Sequence, residues 1–96
     1  MNMDDNTDWS TDYEALMNEF EEIRDRWVAM LEEETTSTEC HQAMNQQRIS
    51  RLVHWVSKVR KFRKKWGSEM MTETLKSLAT EAEVEANIKN PIDYHN

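Results

Sequence analysis

The sequence predicts an all-α protein, a small antiparallel three-helix bundle. Apolar residues recur every three or four positions along three long segments, the spacing of one helix face. The chain holds one Gly and one Pro, too few for the turns and tight loops of a β domain. Its 38% hydrophobic and 32% charged residues are the balance of a long-helix protein. Four Trp and seven Met supply side chains worth burying, which sets the chain apart from disordered sequences. Its 96 residues make a single helical domain, 1–96, with a modest core. So small a core favours docking on a larger protein or pairing as a homodimer.

Residues 1–10 read as a flexible acidic lead-in anchored by Trp9. The first helix is expected at about 11–34. Thr11 with Glu14 has capping-box spacing, and Asp12 and Glu14 sit where the helix dipole favours negative charge. Tyr13, Leu16, Phe20, Ile23, Trp27 and Met30 alternate spacings of three and four, and Met17 and Leu31 widen the stripe. The other face carries Glu14, Glu19, Glu21, Glu22, Asp25, Glu32 and Glu33 against Arg24 and Arg26. Glu32, Glu33 and Glu34 close the helix at its negative pole, which calls for a cation from elsewhere.

The second helix is expected at about 37–66, after a TTST interruption in which Thr36 and Glu39 repeat the capping-box spacing. Its later part, RISRLVHWVSKVRKFRKKW over 48–66, holds eight of the twelve Lys and Arg, and no Asp or Glu occurs from Cys40 to Ser68. Ile49, Leu52, Val53, Val56 and Val59 form an aliphatic stripe, with Trp55, Phe62 and Trp66 beside it. An apolar arc that wide touches two neighbours, so this is the central helix. Gly67 ends it, and Ser68 is placed to cap a third helix at about 68–89. That helix sets Met71, Leu75, Leu78, Ala82 and Ala86 on a narrower face whose small residues permit close approach. Asn90-Pro91 stops it, and a tail, 90–96, carries Ile92 and Tyr94 back toward the core.

Charge is segregated along the chain. Residues 1–39 hold 13 acids and 2 bases, net −11; residues 40–68 hold 8 bases and no acid, net +8; residues 69–96 hold 6 acids and 2 bases, net −4; the total is −7. The basic aromatic run fits three uses: tracking a phosphate backbone with base stacking, lying on a membrane surface or in a calmodulin-like groove, or docking on an acidic protein. The plain reading is that helices one and three neutralise it and the aromatics are core. A helix facing a core still exposes its opposite side, so Arg51, Lys58, Lys61, Lys64, Lys65 and Trp66 are the candidate partner-binding residues. The acidic face of helix one has its own use, engaging a basic groove; solubilising charge is the simpler account. The acidic total disfavours nucleic acid as the partner.

Signatures of catalysis and of metal or cofactor binding are missing. Cys40, His41, His54 and His95 match no zinc spacing, and adjacent Cys40 and His41 point about 100° apart on a helix. The sequence has no Glu-x-x-His pair, glycine-rich phosphate loop or nucleophile elbow. A lone Cys fits a reducing compartment, no apolar run approaches the ~18 residues of a membrane span, and the acidic N-terminus is unlike a signal peptide. The expectation is a soluble cytoplasmic protein without catalytic residues, cofactor or metal. It would regulate, inhibit or adapt a larger protein by docking on it, and as a class it resembles the accessory proteins of phages and mobile elements. The alternative is a nucleic-acid-binding module using the helix at 48–66.

Overall fold

The computed structural model describes residues 8–33 and 37–94. It is all-α, with α1 at Trp9–Leu31, α2 at Thr38–Trp66, a 3₁₀ turn at Ser68–Met70 and α3 at Glu73–Glu85. α2 packs on both α1 and α3 and is the central helix that its wide apolar arc requires. Tyr13 near the start of α1 meets Thr72 at the start of α3, Oη to Oγ1 at 2.9 Å, so both helices begin beside the end of α2 and run antiparallel to it.

The caps differ from the sequence expectation, each for a local reason. α1 starts two residues early because Asp8, extended at φ −99°, ψ 133°, accepts the backbone N–H of Ser10. Trp9 and Ser10 therefore belong to the helix rather than to the lead-in. Ser37 caps α2, its Oγ accepting from Cys40 N at 3.1 Å; Thr36 lies outside the described residues. Gly67 ends α2 at φ 92°, where a side chain would be strained. Ser68 opens only the 3₁₀ turn and makes no side-chain cap. The cap of α3 is Thr72, whose Oγ1 accepts from Leu75 N at 3.1 Å.

α3 also stops early, well before Asn90-Pro91. Asn87 adopts φ 55°, a left-handed conformation that Asn tolerates better than most residues. Its N–H reaches Val84 O at 3.1 Å and that of Ile88 reaches Glu83 O at 3.0 Å. These are the two closing bonds of a Schellman motif.

The core joins Leu16, Phe20 and Ile23 of α1 to Leu52, Trp55, Val56, Val59 and Phe62 of α2, and to Met71, Leu75, Ala79, Ala82, Ala86 and Tyr94. The Phe20 and Trp55 rings pack at a tilt of 53° with centroids 4.9 Å apart. The Trp55 indole N–H donates to Leu16 O at 2.7 Å, which satisfies the one polar atom of a fully buried ring. The tail folds back as expected, with Ile92 packed on the core and Tyr94 within it; Ile88, expected inside the third helix, packs on the core from beyond its end. Three stripe residues do not reach it: Trp27 is half-buried, and Val53 and Leu31 are 45% and 52% exposed. No helix among the described residues is long and apolar enough to cross a membrane.

Candidate interaction surface

Packing on two sides divides the cations of α2. Arg48 pairs with Glu85, Lys58 with Glu19 at 2.8 Å, Arg60 with Glu83 at 2.7 Å, and Lys65 with Asp12 at 3.5 Å. This is the neutralisation by helices one and three that the plain reading anticipates, and it takes half of the basic run. Arg51, Lys61 and Lys64 are exposed and have no ion-pair partner among the described residues.

The six candidate residues thus fall into two groups. Lys58, Lys65 and Trp66 lie along the seam with α1 and are tied to it. The Trp66 indole N–H donates to Asp12 Oδ2 at 2.9 Å, and the Lys65 ammonium lies 4.8 Å from the Trp66 ring centroid, close enough for a cation–π contact. Arg51, Lys61 and Lys64 are exposed and not tied to α1 by an ion pair among the described residues, although Arg51 and Lys61 border clefts beside it. A groove of about 280 Å³ runs between α1 and α2, lined by Asp12, Ala15, Leu16, Glu19, Lys58, Lys61, Phe62 and Lys65. Its α1 wall is acidic and its α2 wall basic, so it favours an occupant that carries both signs or one that displaces a lysine. The surrounding ion pairs are solvent-facing, with the Lys58 and Lys65 side chains 56% and 53% exposed. Such pairs contribute little, up to ~1 kcal/mol each, and leave both lysines recruitable.

The aromatics of the basic run are committed elsewhere. Trp55 and Phe62 are buried at 0% and 4% exposure, and Trp66 is half-buried against Asp12.

One polar cluster escaped the sequence reading altogether. Glu83 is 3% exposed and gathers three donors: Arg60 at 2.7 Å, the Tyr94 hydroxyl at 3.0 Å, and the Ile92 N–H, shared between its two oxygens at 3.2 and 3.4 Å. Arg60 also donates to Asn90 O at 2.7 Å. The carboxylate beside Arg60 raises its pKa above the usual range; burial raises that of Tyr94. Ala79, Ala82, Glu83 and Ala86 repeat at spacings of three, one and three, which places Glu83 on the buried face. That signal was available, but it is easily passed over, since a lone Glu on an apolar face is unusual unless a cation meets it.

Cys40 is an exposed free thiol, and among the described residues no group of three or more His, Cys, Asp or Glu is arranged to hold a metal ion. His95 lies outside the described residues. No family model matches this chain, and no curated protein or solved structure matches it.

Proposed function

We propose that this is a non-enzymatic helical interaction protein that regulates, inhibits or adapts a larger protein by docking through the basic face of α2. The observation that carries the reading is the division of the basic run. Arg48 and Arg60 are taken up by packing, whereas Arg51, Lys61 and Lys64 are exposed with no acidic partner among the described residues, and Lys58 and Lys65 are held by surface pairs. Charges left outside a fold's own ion pairs steer association with a surface of opposite sign. An acidic protein surface suits them better than a nucleic acid, because α1 sets Asp12 and Glu19 beside the same lysines, and of the aromatics of the basic run Trp55 and Phe62 are core and Trp66 is bonded to Asp12.

Charge reversal at Lys58, Lys61, Lys64 and Lys65 tests this. The variant should keep its helical circular dichroism and lose the native partner in a pull-down from the host, with wild-type association slowing as salt is added. A reversed protein that still captures its partner would move the functional surface to the acidic face of α1. A titration against duplex DNA, single strands and RNA at low salt separates the other reading. Tight binding that falls steeply with salt would make α2 a nucleic-acid-binding helix.

A further inference from the structure

A second surface lies at the opposite end of the molecule. α3 ends at Glu85, level with Arg48. α1 continues to Leu31 and α2 begins ten residues before Arg48, at Thr38. Past that level the two helices form a stem with no third helix alongside among the described residues. Only four large hydrophobic side chains are counted as exposed among the described residues, and two of them, Val28 at 44% and Leu31 at 52%, lie on this stem three residues apart.

At about 100° per residue, Trp27, Leu31, Arg24 and Val28 share roughly 100° of the α1 circumference, and Glu32 follows at its edge. Arg24 and Trp27 also line the cleft of about 230 Å³ where α1 and α3 part, with Phe20, Leu52 and Glu81. The exposed apolar patch therefore continues a groove of the bundle beyond the end of its third helix. Two of its charges, Arg24 and Glu32, have no ion-pair partner among the described residues: Arg24 lies 5.9 Å from the Phe20 ring centroid, and Glu32 closes the helix through its backbone, with Glu21 and Asp25 flanking the patch on the Glu32 side.

We propose that this stem is where two copies of the chain meet, with α1 antiparallel to α1 of the second copy about a twofold axis at Val28. A twofold contact must be complementary to itself, each residue finding the reciprocal of its own partner. Centred on Val28, the antiparallel register sets Arg24 of each copy opposite Glu32 of the other. Leu31 then falls between Arg24 and Val28 of the second copy, where the arginine methylenes cover it. One register thus closes an apolar seam and pairs Arg24 with Glu32 on both sides of the axis. The basic end of α2 stays exposed on each copy, so this pairing and the docking reading stand or fall separately.

The experiment is a concentration series by sedimentation equilibrium on the full chain, with circular dichroism as the fold control. Wild type should move from monomer toward twice that mass as concentration rises. Leu31→Glu should stay monomeric and helical, since it changes an exposed residue. Arg24→Glu alone and Glu32→Arg alone should each weaken pairing about tenfold or more, as two attractive contacts become repulsive. The double variant R24E/E32R should return to within a few-fold of wild type, and an equimolar mixture of the two single variants should pair more tightly than either alone. Wild type that remains monomeric to about 1 mM, where even a Kd of that order would register, overturns the proposal. So does a dimer indifferent to Leu31→Glu, or a double variant no better than its parents.

Discussion

α2 has two seams, and they are built on different principles. The seam with α1 is bulky and aromatic inside and wet at its rim: Phe20 packs at a tilt on Trp55, while Lys58–Glu19 and Lys65–Asp12 are solvent-facing. The seam with α3 has one large buried side chain, Leu75, and continues on small ones, Ala79, Ala82 and Ala86, and its ion pair lies inside, where Arg60 meets a Glu83 side chain only 2% exposed. Large side chains hold two helices together by area removed from water. Small ones bring the backbones close and bury less, so a short α3 of 13 residues needs more than its own face. The returning tail supplies it, with Tyr94 and the backbone of Ile92 bonded to the Glu83 carboxylate. The difference teaches that charge of one kind can be surface dressing on one side of a helix and an internal fastening on the other.

The heaviest blow to this arrangement falls on the aromatic seam. Trp55→Ala should destabilise by about 3–5 kcal/mol, removing the ring that fills the α1 side and its bond to Leu16 O. Chemical denaturation reads it directly, and a loss below about 1 kcal/mol would mean that the α1 seam is not where the stability lies.

Next comes the internal fastening. Glu83→Ala leaves Arg60, the Tyr94 hydroxyl and the Ile92 N–H without their shared acceptor, and the expected loss is about 2–4 kcal/mol. Arg60 keeps some solvent access, which holds the figure below that for a fully enclosed pair. Removing Glu19, whose pair with Lys58 is at the rim, should cost under ~1 kcal/mol. Equal losses for the two carboxylates would erase the distinction between the seams.

Alkaline pH sharpens the same contrast. Burial, foremost, raises the Tyr94 pKa above that of the unfolded chain, so between the two values the folded state binds the extra proton and stability falls as pH rises. The contribution is complete below about pH 10, the ordinary tyrosine value, and is lost as pH climbs through the folded one. Denaturation midpoints of wild type should decline above about pH 10, and Tyr94→Phe should flatten that decline. Identical alkaline slopes would show that Tyr94 is not protected.

The smallest effects belong to residues off both seams. Trp27 stripes with the core residues in sequence but is half-buried, with the Arg48 guanidinium 4.8 Å from its ring centroid. Trp27→Ala should therefore cost about 1 kcal/mol, well under the 3–5 of a core aromatic, and Lys64→Ala less than about 0.5. If Lys64→Ala outweighed Val56→Ala, the assignment of α2's inner face would be wrong.

The sequence by itself determined the helical class, the order of three helices and the central place of α2, because spacing at three and four residues and a wide apolar arc are local and periodic properties. It also placed the inward set, Leu16, Phe20, Ile23, Leu52, Val56, Val59 and Leu75, and the return of Ile92 and Tyr94. Periodicity assumes that every position on a stripe finds a neighbour. Where α3 ends at Glu85, Leu31 and Trp27 lose one, and no local pattern announces it, since the end depends on a left-handed Asn87 closing the helix early. The candidate site was legible to the same degree. A run of cations is visible in any sequence, but which of them are spent on Asp12, Glu19, Glu83 and Glu85 depends on contacts between residues 23 to 53 positions apart. Only the tertiary structure could decide that, because an ion pair forms where packing happens to bring two side chains within reach.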